Sequence, residues 1–309
     1  MTPPRYAACI DRWRSNLPAS DVTETTANEP GAGKEATDEV SRARRTLTAY
    51  ARGVAGGLLI GMPVFMTMEV WWSGFTLPPL KLVGLLLFNY GVLLVLQHYS
   101  GLHPRKTRGG QFRAALVAYG LGLIAGSLVM FMLGVTNLHT ALRDFVGKIV
   151  LLAVPVSVGA SVAMSEFGDE HETVERRKEN ATYFGTLGMA AGGAMLFGFG
   201  LAPTEEPMII GLRLPWHHAL ALLVASLFQV HAIVYAVGFK QHERDDRAWW
   251  RKLLKEGTGA YAVALLVAAY LLWTFGRIDA DTGFVACVYQ TLTLGFITSL
   301  GAAAGELLI

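Results

Sequence analysis

The chain has 309 residues, 52% of them hydrophobic, a mean hydropathy of +0.39 and a formal net charge of +2. That is more apolar surface than one soluble core of this size needs, so the composition reads as a polytopic membrane protein. The basic residues are spread over four separate loops, which excludes a nucleic-acid footprint, and Cys9 and Cys287 are too few and too far apart for a disulfide framework or a cysteine metal motif.

Taken in chain order, residues 1–45 form a cytoplasmic tail. Up to residue 37 the tail is rich in Pro, Thr and Ala and too poor in apolar residues to offset its ordering entropy, which predicts disorder. A basic helix near 38–52 leads into the membrane, and the lack of an apolar run before it makes the first span an uncleaved signal anchor. Eight apolar stretches then approach the ~20 residues that a bilayer core requires. They fall near 50–72, 79–99, 113–134, 146–166, 183–203, 216–239, 258–275 and 283–306. With both termini cytoplasmic, only Lys81, Arg143, Lys148, Arg213 and Arg277 of the 26 basic residues lie outside, as the positive-inside rule demands. Between the sixth and seventh spans, residues 244–257 set Trp249, Trp250, Leu253 and Leu254 among basic neighbours, a pattern suited to a helix on an anionic leaflet.

Landmarks recur along the chain. Gly56-Gly57 and Gly192-Gly193, Glu69 and Glu205, Leu77-Pro78 and Leu214-Pro215, Phe88-Asn89 and Phe228-Gln229, and Ser165-Glu166 and Gly305-Glu306 are separated by 136, 136, 137, 140 and 140 residues. The expected fold class is therefore all-α, with eight transmembrane helices arranged as two four-helix repeats over 46–182 and 183–309. An even number of spans per copy makes the repeats parallel. Glycines crowd the first and fifth spans, which marks these as the central, most buried helices.

Carboxylates inside a membrane protein are costly and are paired, hydrated or ion-coordinating. Glu69 and Glu205 lie near the outer ends of matching spans, and in Pro203-Thr204-Glu205-Glu206-Pro207 two prolines free carbonyl oxygens beside Thr204, Glu205 and Glu206. Hard cations bind such oxygen-rich sets. Glu166 and Glu306, at the inner ends of the fourth and eighth spans, form a second layer with Asp169. Glu166-Phe167-Gly168-Asp169 is similar to a string found in some cation and proton antiporters, but it occurs once and assigns no family. Equally, Glu69 and Glu205 can simply solvate the span ends. Asn89 and Gln229 recur at equal depth and fit hydrogen bonding between helices, with pathway lining as the alternative. His98 and His231 carry no haem-attachment motif and read as locally satisfied histidines, while His217-His218 lies at an outer helix start.

Metalloprotease, nucleophile-elbow and phosphate-loop motifs are missing, and no lysine lies deep enough in a span for a retinal Schiff base. No enzyme and no cofactor is expected, and the sequence names no metal. Residues 40–309, with Ser-Glu-Phe-Gly-Asp at 165–169 and Ala-Pro-Thr-Glu-Glu-Pro at 202–207, resemble a family of uncharacterised bacterial integral membrane proteins. The resemblance implies a multi-pass protein of the bacterial inner membrane and no particular activity. From the residues, the expected function is a cation transporter or channel, with an inorganic cation or proton as its ligand and the lipid bilayer as its surroundings. The alternative is a non-transporting membrane scaffold or sensor, and a homo-oligomer is compatible with either.

Overall fold

A computed structural model describes residues 32–100, 108–137, 139–166, 182–238 and 246–308. Residues 1–45 and Thr46–Ile309 are separate units, and the helix contacts that position the site belong to the second. Every element among the described residues is a helix: α1 (Ala32–Phe65), α2 (Met68–Thr76), α3 (Pro79–Ser100), α4 (Arg108–Met132), α5 (Leu142–Glu166), α6 (Tyr183–Phe199), α7 (Glu206–Arg213), α8 (Trp216–Gly238), α9 (Asp246–Thr274) and α10 (Phe284–Leu308). Seven of them are long and apolar enough to cross a membrane, namely α1, α3, α4, α5, α8, α9 and α10. The eighth expected span, α6, is apolar but has only 17 residues.

Two expected spans are cut short for local reasons. The stretch 50–72 breaks after Phe65, because Pro63 disturbs the last turn and the Thr67 hydroxyl donates to the Pro63 carbonyl at 2.8 Å, so the chain restarts as α2. The stretch 183–203 ends at Phe199. There the Gly198 carbonyl takes bonds from the N–H groups of Leu201 and Ala202, and Thr204 Oγ1 donates to the Leu201 carbonyl at 2.8 Å. The tail before residue 32 lies outside the described residues, as do residues 167–181 with Asp169. Residues 246–257 of the expected surface helix are the start of the continuous α9, while residues 244–245 and the side chains of Trp249, Trp250 and Leu253 lie outside the described residues.

The most buried helix is α5, not the glycine-rich first span: residues 151–161 are buried without exception, whereas α1 keeps Leu59 and Met62 exposed. Glycine clears one face of a helix and leaves the others to lipid. On α1 that face is Gly56 and Gly57, where an added Cβ would overlap Ala163 or come within 2.6 Å of the Val156 carbonyl. On α6 it is Gly193, where a Cβ would overlap the Gly301 carbonyl and reach within 2.8 Å of Gly305. Each of α5 and α10 is thus the post on which its neighbours stack, with α2, α3 and α4 around α5, and α7, α8 and α9 around α10.

Geometry recurs between α1–α5 and α6–α10. Gly74 of α2 lies against Lys148 of α5, and Gly211 of α7 lies against Gln290 of α10. The last turns of α4 and α9 close identically. Gly134 (φ 69°) and Gly276 (φ 71°) adopt the left-handed conformation, with N–H bonds from Val135 to the Met130 carbonyl and from Arg277 to that of Leu272. Beyond them, Asn137 Oδ1 accepts from the His139 N–H at 3.0 Å, and Asp279 Oδ1 from the Asp281 N–H at 3.1 Å.

Since helices in lipid gain little from mutual hydrophobicity, backbone approach at glycine is what the packing relies on. Gly193→Ala forces its methyl into the Gly301 carbonyl and should cost ~1–3 kcal/mol, as overpacking does. Gly91→Ala meets nothing within 4 Å. A thermal unfolding series in detergent should show a fall in Tm of several degrees for the first variant and none for the second.

Candidate functional site

The loop from Gly200 to Glu205 carries the acidic sequence and is held by a residue from elsewhere, Arg277. The turn that ends α9 places Arg277 immediately after the left-handed Gly276. Its guanidinium donates to the Pro203 carbonyl, and Nη1 lies 3.9 Å from Glu205 Oε1. The Arg277 side chain is 20% exposed and that of Glu205 64%, so the pair is a loose surface contact of small energetic weight. Pro203 and Thr204 are buried, whereas Glu205 and Glu206 face outward. The Glu206 carboxyl is held below the usual carboxylate range, first by the Thr204 side chain, then by its own backbone N–H, with Arg277 adding attraction. It therefore stays charged.

A second basic residue closes the same end. Lys81, at the start of α3, donates to the Trp273 carbonyl at the end of α9, and its ammonium lies 4.8 Å from the centre of the Trp273 ring. Asp279 nearby is kept ionised chiefly by the Thr282 hydroxyl, with the backbone N–H groups of Asp281 and Thr282 and the charge of Lys81 adding to it.

Glu69 is half-buried in the first turn of α2, and its backbone carbonyl accepts the Ser73 hydroxyl at 2.7 Å. Glu69 stands five residues before Gly74, and Glu206 five before Gly211. The Thr67 N–H bonds to the Val64 carbonyl just as Thr204 bonds to Leu201. Contact geometry therefore matches Glu69 with Glu206, one residue beyond the Glu205 that counting from the Gly-Gly pairs suggests. The reason is that Gly56, packed on Ala163, corresponds to Gly193, packed on Gly305, and not to Gly192.

The expected inner layer lies outside the described structure: the side chains of Glu166 and Glu306 and all of Asp169. The amides are well placed. Asn89 Nδ2 donates to Ser157 Oγ at 3.0 Å, and Gln229 Nε2 donates to Ser299 Oγ at 2.6 Å and to the Phe296 carbonyl at 2.7 Å. Gln97 likewise donates to Ser161 Oγ at 3.1 Å. His231 Nδ1 bonds to the Leu227 carbonyl at 2.8 Å in its own helix, and His98 meets Gln111. Among the described residues, no three His, Cys, Asp or Glu side chains are grouped to hold a metal ion.

Sequence reasoning missed Arg277, Ser157 and Ser299. The glycine before Arg277 was the available signal, since Gly at the end of an apolar run marks a left-handed helix stop and sets the direction of the next residue. The serines recur 142 residues apart, visible only once their amide partners are known.

Because the folded Glu206 carboxyl titrates below its ordinary value, its contribution to stability is present above that value and is lost as pH falls through the lowered one. Thr204→Val removes the main cause. The Tm difference between wild type and this variant should be largest at neutral pH and should shrink below about pH 4, a titration readable by thermal scans. A difference that grows on acidification would contradict the assignment.

No curated protein and no solved structure matches the chain. Residues 49–309, which include every element of the site, match the family described as "Putative integral membrane protein (DUF2391)", and the chain belongs to that family.

Proposed function

We propose that this chain is a duplicated membrane unit that moves a cation, with Glu69 and Glu206 as matched outer ligands and Glu205, loosely paired with Arg277, beside them. The observation that carries the reading is the acidic residue at the start of both short helices, α2 and α7, in the same register to a glycine contact. Each unit would comprise four spans and one short helix, with α6 counted as a span at the lower limit of bilayer length. Four spans per unit give parallel copies, both termini on the cytoplasmic side of a bacterial inner membrane. An approaching cation competes with Arg277 for Glu205 while Glu206 remains ionised. Glu166, Asp169 and Glu306 would receive it at the inner end.

A second reading, a non-transporting scaffold, is favoured by the way Asn89, Gln97 and Gln229 spend their N–H groups on neighbouring helices. Flux separates the two. In proteoliposomes supplied with calcium, potassium, sodium or a pH-gradient dye, wild type should carry one of these ions, and a folded Glu69→Gln/Glu206→Gln double variant should lose at least tenfold of that flux. No flux with any of them from well-inserted protein overturns transport and leaves the scaffold. Topology is tested separately. Alkaline phosphatase fused to the C-terminus should be inactive, and an active fusion contradicts the eight-span arrangement.

A further inference from the structure

The two series of helices are not equivalent at their centres. Asn89 lies at the middle of α3 and is fully buried, and Ser157 lies where α3, α4 and α5 meet, also fully buried. Ser157 Oγ donates to the Val154 carbonyl at 2.9 Å and accepts from Asn89 Nδ2. Asn89 Oδ1 accepts no hydrogen bond from the protein. In the second series Ser299 Oγ donates in the same way to the Phe296 carbonyl at 2.8 Å, but Gln229, one methylene longer, reaches both the serine and that carbonyl.

Two further differences run in the same direction. Pro155, two residues before Ser157, has no N–H to give the Leu151 carbonyl four residues back, whereas Ile297 holds the corresponding position before Ser299. Gly122 brings α4 onto Ala153 and Ser157 with no side chain between them, where a Cβ would lie 2.8 Å from the Ala153 carbonyl. Its counterpart, 142 residues on, is Ala264, whose carbonyl accepts the Thr298 hydroxyl at 3.0 Å. The first junction therefore combines an unsatisfied amide oxygen, a carbonyl released by proline and a face of α4 bare of side chain.

We propose that this first junction holds a bound water molecule near the middle of the membrane and that the second does not. The chemistry identifies the ligand. Asn89 Oδ1 and the Leu151 carbonyl, which Pro155 deprives of its helical N–H donor, are both acceptors, so the ligand must donate, and a water donates two hydrogens. A cation would also suit oxygen acceptors, but no carboxylate is among the residues of the junction to balance a charge, and an uncompensated charge there is costly. At the second junction Gln229 itself donates to both the serine and the Phe296 carbonyl, and no proline removes a backbone donor. The inference deepens the transport reading by giving the path a hydrated station in α3–α5.

The test replaces each serine by its closest sulfur analogue in a full-length chain whose Cys9 and Cys287 are serine. Infrared spectroscopy in D2O then follows S–H to S–D exchange. The Ser157→Cys thiol should exchange at least tenfold faster than the Ser299→Cys thiol, and adding Asn89→Gln, which copies the second junction, should abolish the difference. Equal rates, or faster exchange at Ser299→Cys, overturn the proposal. The unaltered chain provides a check free of folding defects. X-ray radiolysis in oxygen-18 water should oxidise α5 around Ser157 and spare α10 around Ser299, and the reverse or an even pattern overturns the water site. Neither readout involves flux. A chain that exchanges at the first junction but carries no cation overturns transport alone, and one that carries a cation without the exchange difference overturns the water site alone.

Discussion

Close backbone approach of α1 to α5 and of α6 to α10 is the constraint on which the other contacts depend. In lipid, two apolar helices lose nothing by staying apart, so association rests on van der Waals contact, and that requires backbones to come within reach. Gly56 against Ala163 and Gly193 against Gly301 and Gly305 provide it. With α5 and α10 fixed in this way, Gly74 seats α2 on Lys148 and Gly211 seats α7 on Gln290. The acidic residues at the starts of the two short helices are thereby placed at the same step.

Polar groups refine this frame. The serines of α5 and α10 each return their proton to a carbonyl of their own helix and remain available as acceptors for an amide on a neighbouring one. The net gain per bond is small, about 0.6 kcal/mol in membrane proteins. Its value lies in register, since the amide must be at serine depth to bond at all. Asn89 and Gln229 show how one methylene changes the outcome, from an amide nitrogen bonded to the serine alone to one bonded both to the serine and to a carbonyl of the neighbouring helix.

Where α9 ends, charge is organised by turn geometry. A left-handed glycine after α9 swings Arg277 back over the loop that carries Pro203 and Glu205. The equivalent turn after α4 carries Val135 instead. The same backbone thus serves an ion pair in one series and an apolar contact in the other, and the difference lies wholly in the residue after the glycine. Lys81 adds a tie between α3 and the end of α9, so this end of the helices joins elements from both series.

Much of the architecture was written in the order of residues. Apolar runs bounded by Pro79, Pro215 and Gly283 mark α3, α8 and α10 within a few residues, because proline and glycine stop or start helices for reasons of covalent geometry. The charge bias of the loops and the recurring Leu-Pro and Gly-Gly landmarks are likewise linear properties. The breaks after Phe65 and Phe199 were harder to see, since hydropathy continues through them and only hydrogen bonding by Thr67 and Thr204 with nearby carbonyls reveals the stop. Which carboxylate matches Glu69, which helix is most buried and which basic residue holds the acidic loop were decided by tertiary structure alone. Each depends on which face of one helix meets another, and a sequence fixes what a face contains but not what is brought against it.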